Sequence, residues 1–205
     1  MDEINYIDKF QKLMDKENLR ETLSFLALFI TIYENFVETI VGRVESFLCF
    51  ELDRFQNGKI KFKPSDIYKE DIKNKIVDEK GNKDILKATM LWFLDMKAIT
   101  QDEYDLFLEL KERRNSFVHD MADHVWHGVT EKDIQSLVNL LKLSSKLDKW
   151  WINEIEISIS GKYDLNEEEK KDVISFNLLV FGQMIQTLFG DETSSKTENI
   201  NVTSN

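Results

Sequence analysis

The chain has 205 residues, of which 42% are hydrophobic and 32% charged, and a formal net charge of −11. Length and apolar content suffice for one helical domain with a real core, while one proline and seven glycines disfavour sandwiches, barrels and a glycine-cradled phosphate site. The acidic balance argues against broad, non-specific nucleic-acid binding, since phosphate repulsion would have to be overcome locally, but it is compatible with a small basic site.

Residues 3–16 read as a short amphipathic helix carrying Ile4, Ile7, Phe10, Leu13 and Met14. Residues 18–56 read as one long helix, the central element, because Leu19, Leu23, Leu26, Ile30, Tyr33, Val37, Ile40, Val44 and Phe47 recur at three- and four-residue spacing. Glu34 sits inside that stripe, where burial is expected, and a buried carboxylate needs a partner; Arg114 and His119 are the first candidates. Asn57-Gly58 ends the helix.

The only cysteine, Cys49, lies in an apolar run, which reads as a small hydrophobe and rules out an internal disulfide framework. A lone cysteine fits a reducing cytoplasm. The start Met1-Asp2-Glu3 is acidic and does not read as a signal peptide. The longest apolar run, Leu23 to Tyr33, is shorter than the roughly 20 residues a membrane span requires, so no membrane association is expected.

Residues 58–82 read as a small insertion. Lys59-Ile60-Lys61-Phe62-Lys63 alternates like an edge strand or extended loop, Pro64 starts a short helix over 65–76, and Glu79 to Asn82 form a turn. A helix over 83–98 follows. Thr100 with Glu103 has the capping-box pattern and opens a helix from 101 to about 124. Thr130 starts a helix over 131–157, in which Trp150 and Trp151 are not expected to face the same core. Asn166 with Glu169 caps a last helix over 167–189, and residues 191–205, rich in Ser, Thr and Asn, read as a disordered tail. The whole is an all-α, up-and-down helical bundle with a long N-terminal helix, a single domain over 1–190.

The chemistry-bearing segment is Arg114-Asn115-Ser116-Phe117-Val118-His119. Arginine is a fixed cation with a forked donor array suited to phosphate, and histidine exchanges a proton readily near neutral pH. On a regular helix Arg114 and His119 are rotated apart by about 140°, so the helix is distorted between them or a symmetric second chain completes the site. Lys111 and Arg113 add local positive charge for a phosphate backbone, and Lys142, Lys146 and Lys149 line another helical face. His119, His124 and His127 cluster with Asp120 and Asp123, a possible metal edge that lacks ligands from elsewhere, so no metal or other cofactor is expected.

These residues resemble the signature of the HEPN superfamily: arginine, a polar residue, and a histidine four to six residues on, in a late helix of an all-α bundle. The embedded Tyr33-Glu34-Asn35 of the long helix is similar to that of abortive-infection members. The resemblance covers residues 18–157 and implies a metal-independent endoribonuclease working as a cytoplasmic homodimer in toxin–antitoxin or anti-phage defence, with RNA as substrate and an antitoxin or defence protein as partner. It implies His119 as general acid or base, Arg114 as phosphate stabiliser and Asn115 as an orienting hydrogen-bonder. Arg113 also satisfies the spacing, and Asn115 favours Arg114. Members paired with a nucleotidyltransferase antitoxin often carry tyrosine two residues after the histidine, where this chain has Met121. The alternative is a non-catalytic helical interaction protein, antitoxin-like or a defence-complex subunit, that uses the Arg–His pair structurally.

Overall fold

A computed structural model describes residues 14–49, 51–56, 59–161, 166–171, 173 and 175–190. The helix expected over 3–16, the Asn57-Gly58 stop and the tail over 191–205 lie almost wholly or entirely outside these residues.

The architecture is the expected all-α bundle. Its elements are α1 (Lys16–Leu48), β1 (Glu51–Gln56), β2 (Lys59–Lys63), α2 (Asp66–Tyr68), α3 (Ile85–Asp95), α4 (Gln101–His119), α5 (Met121–His127), α6 (Glu131–Trp151), α7 (Ile157–Ser160), α8 (Glu167–Lys171) and α9 (Phe176–Phe189). Helical segments of π geometry extend α2 over Lys69–Lys73 and α6 over Ile152–Glu156. α1 is central, packing against α3, α4, α5, α6 and α9. By length and composition α1 would suffice to cross a membrane. In this fold its stripe of Phe25, Phe29, Ile32, Phe36, Ile40 and Val44 is buried in the protein core.

The long helix ends earlier than its periodicity suggests. Its last residue is Leu48, and Glu51–Gln56 form a strand paired antiparallel with Lys59–Lys63. A register shift between Leu52 and Arg54 marks an irregularity in that hairpin. The stop has a tertiary cause. The Ser65 hydroxyl donates to the Leu48 carbonyl and accepts from the Tyr68 N–H at 3.0 Å. One side chain thus satisfies the end of α1 and the start of α2, closing the hairpin as a loop on the bundle.

Two other boundaries moved, and one packing expectation is corrected. The helix expected over 101–124 breaks at Asp120, whose φ of −111° and ψ of 28° leave helical geometry before α5 restarts. The helix expected over 167–189 is two pieces. Asn166 caps α8 by accepting from the Glu168 and Glu169 N–H groups, and Ser175 caps α9. Trp150 and Trp151 do meet one cluster: each packs its ring within 6.4 Å of both Trp92 and Phe93. Two adjacent aromatics on α3 offer a surface wide enough to receive two adjacent aromatics on α6.

A polar node under α9 had no signal in the sequence. Asp148, 8% exposed, is ion-paired with Arg43 and accepts from the Ser175 hydroxyl at 2.5 Å. Arg43 also lies 5.9 Å from the Trp151 ring centroid. The node ties α1, α6 and the α9 cap together.

Truncating Phe29, which is fully buried, to alanine is expected to lower stability by about 3–5 kcal/mol in urea titration, whereas Glu34→Ala, at a half-exposed position, costs under about 1 kcal/mol.

Candidate active site

The segment 114–119 occupies the last turns of α4, which the Thr100–Glu103 capping box opens as expected. The Thr100 N–H donates to Glu103 Oε2 at 2.7 Å, and the Glu103 N–H donates to Thr100 Oγ1 at 3.3 Å. Phe117 is fully buried and sets the rotation of the helix. Its ring meets Phe29 edge-on at 4.9 Å and Phe25 at 6.3 Å. With Phe117 pointing inward, Arg113 and Arg114 fall on opposite flanks and His119 points outward.

Arg114 reaches α1. Its Nε donates to Glu34 Oε1 at 2.7 Å, its Nη2 is ion-paired with the same oxygen, and its Nη1 donates to Asn115 Oδ1 at 3.3 Å. Glu34 does pair with Arg114, but its side chain is 49% exposed, a correction to the expectation of burial. The helix turns it toward the rim of the α1–α4 seam. Of the five guanidinium hydrogens, one on each Nη nitrogen stays clear of these contacts.

Arg113 turns the other way. It is ion-paired at 3.3 Å with Asp133, whose side chain is 3% exposed, and its guanidinium carbon lies 5.9 Å from the Phe117 ring centroid. Asp133 in turn accepts from the Thr130 N–H at 2.9 Å and its hydroxyl at 2.6 Å, closing the capping box of α6. Arg113 is therefore paired with the buried cap carboxylate of α6, and Arg114 is hydrogen-bonded at the more exposed rim of α1.

Lys111 donates to Asp84 Oδ2 at 3.0 Å, and Lys146 to Glu103 Oε2 at 2.6 Å. These two cations of the expected phosphate-guiding faces are thus neutralised locally. His119 is exposed at the C-terminal residue of α4, and Asn115 stands one turn before it, on nearly the same face. The helix runs unbroken through 114–119, so Arg114 and His119 stay splayed.

Two neighbours of the motif were not anticipated as site residues. The Tyr33 hydroxyl is buried and has no hydrogen-bond partner among the described residues. Burial pushes its pKa well above the usual phenol value; Arg114 opposes that shift, and Glu34, Asp84 and Glu112 add to it. The second neighbour is His124. The break at Asp120 folds α5 back so that His124 Nε2 lies 2.8 Å from Ser116 Oγ, with its ring edge-on to Phe117 at 4.8 Å. His127 instead engages Asp123, with Nδ1 2.9 Å from the carbonyl and 3.2 Å from the carboxylate. No group of three or more metal-ligating side chains is assembled among the described residues. Cys49 is half-buried, and burial with Glu45 raises its thiol pKa, the opposite of an activated nucleophile.

A groove of about 570 Å³ runs between α4 and α6 on the Arg113 flank, lined in part by Arg113, Ser116, Lys132, Ser136 and Asn139. It begins one turn from His119 and takes in Ser116 of the Ser116–His124 pair. Comparison with protein-family models, curated proteins and solved structures finds no match for this chain.

The ion pairs make an acid-side expectation. Burial raises the carboxyls of Asp84 and Glu103, but hydrogen bonds from Lys111 with the Lys87 N–H, and from Lys146 with Thr100, outweigh it and hold both below the usual carboxylate range. Such groups stabilise the fold above their unfolded pKa, about 4, and lose that contribution as pH falls through the folded value. Lys111→Met and Lys146→Met should each lower Tm at pH 7, by an amount that shrinks below about pH 4 in calorimetric scans.

Proposed function

We propose that this chain is a metal-independent endoribonuclease of the HEPN type, acting as a cytoplasmic homodimer in toxin–antitoxin or anti-phage defence. The observation that carries the reading is the state of Arg114. Its guanidinium is fixed from two sides, by Glu34 of α1 and by Asn115, and still keeps an N–H on each Nη nitrogen. A guanidinium so oriented suits a phosphate, and its conformational freedom is already restricted before substrate arrives.

In this reaction the ribose 2′-oxygen attacks the adjacent phosphorus. His119 takes the 2′-hydroxyl proton, Arg114 donates to the phosphoryl oxygens as charge builds on the pentacoordinate centre, and Asn115 orients Arg114 through its side-chain carbonyl. The P–O5′ bond breaks, leaving a 2′,3′-cyclic phosphate and a 5′-hydroxyl. The regular course of α4 supports a cleft shared by two copies, since Arg114 and His119 of one chain do not converge on an undistorted helix.

A specific observation favours a second reading, the non-catalytic interaction protein. From Phe176 to Phe189, α9 carries no charged residue, yet Phe176, Leu179 and Val180 stand exposed. A charge-free apolar face in a chain so rich in charge suits a helical protein partner, such as an antitoxin.

Purified protein is expected to degrade RNA in the presence of EDTA, with 3′ termini that resist ligation until the cyclic phosphate is opened and the resulting monoester removed. His119→Ala and Arg114→Ala should each reduce the rate by roughly 10²-fold or more with an unchanged circular-dichroism spectrum. Chelator-sensitive cleavage, or full activity in both variants, contradicts the assignment.

A further inference from the structure

Cleavage by 2′-oxygen attack moves two protons at opposite ends of the reacting phosphorus. One leaves the entering 2′-hydroxyl, and one must reach the departing 5′-oxygen, which is a poor leaving group as an alkoxide. The motif provides one imidazole per chain. A second imidazole of the same chain, His124, is held against Ser116, one helical turn from it.

What brings His124 to the motif is the break at Asp120. There the Asp120 carbonyl, freed from α4, accepts from the Asp123 N–H at 2.9 Å and the His124 N–H at 3.1 Å. α5 therefore turns back along α4, and His124 Nε2 comes to 2.8 Å from Ser116 Oγ. Ser116 and His119 are three residues apart on α4, about 60° apart in rotation and one turn apart along the axis, so their side chains are neighbours. The ring of His124 is clamped edge-on by the buried Phe117. It is half-buried, where a surface histidine with no role would be free to rotate into solvent.

We infer that His124 is a second catalytic residue of the ribonuclease reaction, the general acid that protonates the 5′-oxygen while His119 acts as the base, with Ser116 positioning its ring. The proposal rests on the ribonuclease reading above. The step balances. His119 gains the 2′-hydroxyl proton, the 2′-O–P bond forms, the P–O5′ bond breaks, and imidazolium His124 gives its proton to O5′. Exchange with water returns both rings to their starting states. Ser116, the partner of the His124 ring, lines the α4–α6 groove, which receives the leaving strand.

The test separates the two proton transfers by leaving group. A dinucleotide substrate needs an acid at O5′; a nucleoside 3′-(4-nitrophenyl phosphate) releases a stable phenolate and does not. Wild type, His119→Ala, His124→Ala and His124→Gln are assayed on both, with thermal unfolding of each variant. His124→Gln keeps a hydrogen-bonding group for Ser116 and guards against a packing defect at Phe117. Both His124 variants should lose roughly 10²–10⁴-fold on the dinucleotide and less than about tenfold on the nitrophenyl ester, while His119→Ala loses activity on both. Equal losses of the His124 variants on the two substrates, or none on the dinucleotide, overturn the assignment and leave the ribonuclease reading intact. Absence of cleavage of either substrate by wild type overturns the ribonuclease reading and this assignment with it.

Discussion

The arrangement of the site depends on the burial of Phe117 against Phe25 and Phe29 of α1. An α-helix has one rotational degree of freedom once its axis is placed, and a fully buried aromatic removes it. With Phe117 inward, the hundred-degree step per residue sends Arg114 to the α1 seam, Arg113 to the α6 seam, Ser116 to the α5 side and His119 to solvent. None of these polar contacts needs to be strong on its own. The Arg114–Glu34 pair is half-exposed and worth little as stabilisation. Its use is geometric, because it chooses one of the many conformers a long side chain otherwise samples.

The same packing explains how a chain of net charge −11 supports a local cation. Four carboxylates are each matched to a cation on another element: Asp84 to Lys111, Glu103 to Lys146, Asp133 to Arg113 and Asp148 to Arg43. Buried or half-buried cations are spent on joining helices. Arg113 is the clearest case, since its partner Asp133 is buried and simultaneously caps α6. Removing either member leaves an uncompensated charge beside the core, which is far more costly than losing an exposed pair. Two adjacent arginines of equal chemistry are thereby divided into one paired with a buried carboxylate and one hydrogen-bonded at an exposed rim.

Helical periodicity made the bundle legible, because the three- and four-residue spacing of apolar side chains in α1, α3, α4 and α6 reports directly which face is buried. The helix starts at Thr100 and Thr130 were readable for a similar reason: the signal and its cause sit within four residues. What local pattern did not carry was contact between distant residues. The end of α1 at Leu48 depends on Ser65, seventeen residues on. The break at Asp120 has no glycine or proline to announce it and follows from the packing of α5 on α1 and α4. Asn115 set Arg113 and Arg114 apart in the sequence, whereas the pairing of Arg113 with Asp133, on another helix, had no local signal. The Arg114 partner was anticipated from a carboxylate misplaced in an apolar stripe, although Glu34 turned out to lie at the rim instead of the interior.

Exposure of His119 carries a consequence for chemistry at this helix end. An imidazole in contact with bulk water acts in a medium of high dielectric, where charge stabilisation by neighbouring dipoles is weak. On the ribonuclease reading, the low-dielectric enclosure must come from what docks onto α4: the RNA itself, a second copy of the chain, or both. Arg114 already stands at the half-buried seam with α1, and the Ser116–His124 pair stands half-buried against Phe117 on the other flank. The two flanks are thus pre-organised and partly desolvated, while the strip between them, Asn115 and His119, is left open. A polyanion laid along that strip would bring its own low-dielectric surface to His119 and meet fixed donors on either side. Rates would then depend on how the substrate fits the strip more than on how tightly an acidic protein attracts phosphate, which is the expected route to selectivity in a chain whose long-range field repels its ligand.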